Sequence, residues 1–246
     1  MKKYILEVCV DSVESAIHAQ NGGADRLELC ADLLIGGTTP SLALFELVKK
    51  YVSIPVHVLL RPRFGDFLYS SYEQELLVKQ AALFHAAGAD TLVIGCLTPQ
   101  GRLDLPAMEA ICQAAQGTPV NLHRAFDMCR NPEEALEDAK KLGIISILTS
   151  GGQDAAIKGA AVLDLLRKKS GSIDIMAAAG INAQVIQTLK EQTCLTSFHM
   201  SGKQVLSSQM EYRNPHVNMG LPSLSEYEIW QTSEAAVRDA KKVLTN

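Results

Sequence analysis

Eight times along the chain, a short apolar run of strand-like residues gives way to a longer segment with helical spacing. The runs are Tyr4–Val10, Arg26–Cys30, Val56–Leu60, Thr91–Cys96, Val120–Arg124, Ile144–Thr149, Ile173–Ala178 and Leu195–Met200. Between them lie helical patterns over Ser12–Gln20, Ser41–Tyr51, Tyr72–Ala87, Leu105–Ala115, Pro132–Leu142, Ala155–Lys169 and Ala183–Glu191, several with Ser, Asn or Pro at the start and Gly at the stop. Strict alternation at this spacing predicts parallel strands joined by crossover helices. An open doubly wound sheet is the rival, but no GxGxxG follows the first strand and no composition shift marks a boundary. The eightfold count predicts a single (β/α)8 TIM-type barrel over residues 1–246, near the size of about 250 residues usual for that fold. The irregular stretch 203–222 is expected to be a long loop over one barrel face, followed by a C-terminal helix over 223–244.

Composition narrows the function classes. Lys+Arg number 23 against 27 Asp+Glu, a net charge of −4, which argues against a basic surface for nucleic acid or an anionic membrane. No apolar window reaches the roughly 18 residues of a membrane span. The basic, apolar start meets Glu7 too early for a signal peptide, so a cytoplasmic protein is expected. The 6 cysteines show no CxxC spacing, and in a reducing compartment they are expected as free thiols.

Strand parity sorts the side chains. Leu6, Val8 and Val10 share one face of the first strand and Glu7 and Cys9 the other. The same rule sets Leu27 and Leu29 against Glu28 and Cys30, and Val56, Val58 and Leu60 against His57, Leu59 and Arg61. It also sets Val120 and Leu122 against Asn121 and His123, and Phe198 against His199 and Ser201. The apolar faces must pack on the helices, so the polar faces point into the barrel. Burying unpaired charge costs several kcal/mol, so these groups must pair, meet water at the mouth or bind a ligand. A purely structural network such as Glu7–Arg61–Glu28 is the bland alternative.

The loops after the strands suit an anion. Arg61 and Arg63 lie beside a glycine turn and offer guanidinium forks. Thr149, Ser150, Gly151 and Gly152 follow strand six with small residues that expose backbone N–H groups. Gly180 and Ser201 follow strands seven and eight, the usual phosphate corner of a barrel. On this reading those eight residues bind a phosphorylated or carboxylated metabolite. Glu7 or Glu28 acts as general base, with His57 or His123 as acid partner.

Several segments resemble the CutC family: Leu6-Glu7-Val8-Cys9-Val10-Asp11, Gly22-Gly23-Ala24-Asp25-Arg26-Leu27-Glu28-Leu29-Cys30 and Gly36-Gly37-Thr38-Thr39-Pro40-Ser41. Val56-His57-Val58-Leu59-Leu60-Arg61-Pro62-Arg63, His123-Arg124-Ala125-Phe126-Asp127, Thr149-Ser150-Gly151-Gly152 and Phe198-His199-Met200-Ser201-Gly202 do so as well. The resemblance spans essentially the whole chain in order. It implies a single barrel, a cytosolic protein and a link to copper homeostasis, with Cys9 and Cys30 matching the family's copper(I)-binding cysteines. On adjacent strands about 4.8 Å apart, two such sulfurs could share one soft ion. One departure is Ala178-Ala179-Gly180-Ile181, where the family carries Gly-Gly-Gly-Ile; it weakens an anion nest there. Two functions stand side by side: copper handling by the two cysteines, or an enzyme acting on a small anionic metabolite. The partner is then a copper ion or that metabolite, and the oligomeric state, homo-oligomers included, is left open.

Overall fold

The eight apolar runs become eight parallel strands that close on themselves. A computed structural model describes residues 3–219 and 223–245. The strands are β1 (Ile5–Val10), β2 (Arg26–Leu29), β3 (Val56–Leu59), β4 (Thr91–Ile94), β5 (Val120–Leu122), β6 (Ser146–Thr149), β7 (Asp174–Ala177) and β8 (Ser197–Met200). β1 pairs with both β2 and β8, which shuts the cylinder. The crossover helices are α1 (Val13–Asn21), α2 (Leu42–Tyr51), α3 (Ser71–Ala86), α4 (Leu105–Ala114), α5 (Pro132–Lys141), α6 (Ala160–Lys169) and α7 (Ala183–Gln192), with α8 (Glu234–Thr245) last. Among the described residues, no helix is long and apolar enough to cross a membrane.

Local chemistry explains where the helices begin. Ser12, Ser41 and Asn182 accept from the third residue of their helices, and Ser70 forms a reciprocal capping box with Glu73. Helix α6 starts five residues later than its apolar spacing suggests. Gly159 lies against the β6 loop so closely that an added Cβ would collide with the Ser150 carbonyl oxygen, and Ala155–Gly159 turn to make that approach.

Parity holds around the ring. Leu6, Val8, Val10, Leu27, Leu29, Val56, Val58 and Phe198 are fully buried against the helices. Burial of that kind is worth about 1.5–3 kcal/mol per large side chain. The opposite faces carry Glu7, Glu28, His57, Asn121, His123 and His199, all buried as well.

The end of the chain departs from expectation. The stretch 203–222 opens as a strand: β9 (Lys203–Ser207) pairs antiparallel with β10 (Glu228–Thr232) in a separate ribbon. Residues 220–222 of that expected loop lie outside the described residues. The helix expected over 223–244 begins only at Glu234, because β10 occupies its first half and Ser233 Oγ then accepts from Ala236 N at 3.3 Å. The ribbon is tied to α1, where Thr232 N donates to Ser15 Oγ at 3.1 Å and His18 Nδ1 lies 3.0 Å from the Thr232 carbonyl.

Candidate functional site

Glu7 is the hub of the barrel axis. Arg26 Nε meets its Oε2 at 2.6 Å, His57 Nδ1 reaches the same oxygen at 3.0 Å, and His199 Nδ1 lies 2.8 Å from Oε1. Burial alone would push this carboxyl up. The Arg26 charge and the hydrogen bonds from His199 and His57 outweigh that and hold it well below its usual value. The expected network through Arg61 is therefore replaced by one through Arg26. Arg26 sits two residues before Glu28 on β2, and the parity rule places it on the same inward face.

Above this hub, Glu28 and His199 form the floor of a cavity of ≈ 420 Å³ at the C-terminal end of the strands. His199 Nε2 stands 3.7 Å from Glu28 Oε2, and Glu28 Oε1 is buried without a partner among the described residues. Burial raises the Glu28 carboxyl, and the Glu7 charge adds to this while His199 opposes both. Burial favours a neutral His199, yet Cys9, Glu7 and Glu28 around the ring hold its pKa well above the ordinary value. The pair is a carboxyl of raised pKa facing an imidazolium that Glu7 orients from behind. His199 was legible as inward-facing, but its link to Glu7 closes the barrel between the first strand and the last, which no local motif reveals. Glu7 and His57 lie beneath the floor and support it.

The rim divides the expected anion residues. Arg61 lines the cavity at 8% exposure, with Nη1 donating to the Gly37 carbonyl at 2.9 Å and Nη2 to that of Gly65 at 2.8 Å. Among the described residues its Nε has no hydrogen-bond partner and no carboxylate forms an ion pair with it. Arg63 turns outward instead: Nε lies 2.6 Å from Glu73 Oε1 and Nη2 lies 3.0 Å from Asp66 Oδ1. Two carboxylates on its own loop and helix neutralise it, and it does not reach the mouth.

The glycine loop after β6 holds an anion already, and the anion is part of the chain. Asp127 Oδ1 accepts from Thr149 Oγ1 at 2.6 Å, Ser150 N at 3.0 Å and Gly152 N at 3.1 Å. Its Oδ2 accepts from Ser150 Oγ at 3.0 Å and pairs with Arg124 Nε at 2.7 Å. Gly151 N donates to Thr149 Oγ1 at 2.9 Å. These four residues do not line the cavity, and Asp127 already takes the donors of Thr149, Ser150 and Gly152. Gly180 and Ser201 do line it, together with Arg124, Lys203 and Trp230. Beside Gly180, Ala179 adopts φ 75°, a left-handed conformation that an L residue takes only under constraint.

Copper is best tested against the donors themselves. Cys9 and Cys30 both face the cavity and pack with Leu33, Leu59 and Val93. Cys9 Sγ donates to the Met200 carbonyl and Cys30 Sγ to Glu28 Oε2, each at 3.7 Å. Burial, the Glu28 charge and Cys9 push the Cys30 thiol well up, so a metal must displace a tightly held proton. Among the described residues, no group of three or more His, Cys, Asp or Glu is arranged to hold a metal. Two thiolates suit a soft ion of low coordination number; the carboxylate of Glu28 and the guanidinium groups do not.

Residues 4–204 match a family model described as the CutC family. A "family protein CutC" of Bacteroides fragilis (strain YCH46) is 42% identical over 249 residues, covering 100% of this chain and 99% of that protein. A human "copper homeostasis protein cutC homolog" is 42% identical over 245 residues, covering 99% of this chain and 90% of that one. The crystal structure of a CutC protein of Streptococcus agalactiae superposes with a TM-score of 0.77 at 27% identity, over 80% of this chain and 98% of that chain.

Proposed function

We propose, from the premise that the chain belongs to the CutC family, that it is an enzyme acting on a small anionic metabolite at the barrel mouth. One observation carries this: a buried carboxyl with an unpartnered oxygen, Glu28, faces the same cavity as a buried guanidinium with no carboxylate partner, Arg61. Both arrangements are unfavourable in an empty barrel and become favourable around an anionic ligand that carries a proton to be moved. Arg61, with Lys203 at the rim, draws the anion in. Glu28 transfers the proton. His199, held by Glu7, opposes the burial that raises the Glu28 pKa. The six cysteines are free, which supports a reducing, cytoplasmic setting.

A metabolite screen by thermal shift on the purified protein tests this, followed by Glu28→Gln once a ligand is found. Turnover should fall by about 10²–10⁴-fold while ligand binding persists. Full activity in that variant would remove Glu28 from the chemistry, and a screen in which no anion stabilises the protein would remove the enzyme.

Copper(I) handling is the second reading, favoured by the two thiols that share the cavity wall. Here copper is cargo, bound by Cys9 and Cys30 after both lose their protons. Competition with a cuprous chelator measures it: Cys9→Ser with Cys30→Ser should abolish high-affinity binding, and unchanged affinity would eliminate the site.

A further inference from the structure

We propose that Arg61 and His123 form a two-donor clamp for the oxygen of a carbonyl or carboxylate group, so that the reaction is proton abstraction at the carbon beside it. This rests on the enzyme reading above and assigns its substrate class.

His123 is 4% exposed, and the Ala125 backbone N–H donates to its Nδ1 at 3.1 Å. Nδ1 is thus an acceptor, and in a neutral ring the proton must sit on Nε2. That Nε2 is buried and has no partner among the described residues. Burial, reinforced by the Arg61 charge, pulls the ring's pKa down to about 3, so it stays neutral across the physiological range. His123 is therefore a fixed neutral donor and not the acid partner its type suggests. Room for the ring is built in: an added Cβ at Gly95 would stand 2.5 Å from its Cε1.

Arg61 supplies the second donor. Its two terminal nitrogens are held by carbonyls, which leaves a buried Nε–H without a partner among the described residues. Phe67 braces both groups, with its ring 5.0 Å from the His123 ring and 5.0 Å from Arg61 Cζ. Both donors line the cavity that Glu28 floors.

Two donors, one of them uncharged, suit a planar sp² oxygen, which accepts in-plane hydrogen bonds from two sides. They suit a tetrahedral phosphate dianion poorly, because the backbone N–H groups that would complete its shell already hold Asp127. The chemistry follows from placement. Glu28 takes a proton from the carbon next to the carbonyl, and the C–H electron pair becomes the C=C bond of an enolate. The carbonyl π pair moves onto oxygen, where the two N–H donors hold the developing charge. Return of the proton to the same carbon, from either face, completes the cycle without any co-reactant.

Calorimetric titration with oxalate, a planar mimic of an enediolate, tests the clamp, with inorganic phosphate as the comparison. Oxalate should bind at least about tenfold more tightly than phosphate, and His123→Phe should weaken oxalate by about tenfold or more. Phosphate binding as tight as oxalate, or oxalate binding indifferent to His123, would overturn the clamp and leave the anionic mouth standing. If neither anion binds, the clamp falls together with the reading beneath it. The unaltered protein gives a second readout that no folding defect can spoil. Its ¹⁵N NMR signals should show Nε2 of His123 protonated and Nδ1 not, with the Nε2–H resonance moving when oxalate is added; an unmoved resonance overturns the clamp.

Discussion

Two loops on one rim carry the same kind of donor and have opposite histories. The glycine loop after β6 aims backbone N–H groups and a hydroxyl at one point, and Asp127 sits there with Arg124 behind it. The corner of Arg61 and His123 also holds buried donors, yet among the described residues no acceptor answers Arg61 Nε or His123 Nε2. The first is an anion site closed by its own carboxylate and works as a structural clasp between the β5 and β6 loops. The second is open. Convergent donors therefore mark a ligand site only where the acceptor is missing, and hydrogen-bond accounting distinguishes the two where loop composition does not.

The largest expected effect breaks the filled site. Asp127→Ala strands Arg124 and the donors of Thr149, Ser150 and Gly152, and should destabilise the fold by about 3–5 kcal/mol in urea unfolding. Added sulfate should then stabilise this variant more than the unaltered protein, because the clasp has become a vacant nest. Equal stabilisation of both proteins would show that the loop does not hold its shape without Asp127.

The open site is sharpened by acid. His123 has a folded pKa of about 3 against about 6.5 unfolded, so it takes no proton in the fold where the unfolded chain does. Its contribution is complete above about pH 6.5 and erodes as pH falls toward 3, at up to about 1.4 kcal/mol per unit. His123→Phe should flatten that limb, as followed by unfolding midpoints at several pH values. Glu7, held low by Arg26 and the histidines, loses its contribution only further down, as pH drops through and below the usual carboxylate range. His199 works in the other direction: its raised pKa adds stability below about pH 6.5 that disappears as pH rises.

The smallest effect concerns Ala179 beside the open site. At φ 75° it bears left-handed strain of about 1 kcal/mol, and Ala179→Gly should raise the melting temperature by about 2–4 °C. No rise would mean that the loop relaxes without help.

The barrel was legible because strand parity has a period of two, and Glu7, Glu28, His57 and Arg61 all point inward as that period requires. The partners were not. Asp127 lies 22 to 25 positions from the donors it fills and His199 lies 192 from Glu7, distances over which sequence carries no register. Arg63 shares its motif with Arg61 and differs only because Glu73, on the first turn of α3, is near enough to take it. The β9–β10 ribbon was hidden for the same reason, since each strand is short and its pairing partner is distant.

The seam of the cylinder is stitched from segments far apart in the sequence. β1 pairs with β8, Lys241 of α8 binds Asp25 at 2.6 Å, and Thr232 reaches back 217 positions to Ser15. A ribosome therefore delivers one lip of the seam long before the other. Until β8 emerges, β1 has a bare edge, and until α8 emerges, α1 has an uncovered face, in a topology whose long-range contacts form slowly.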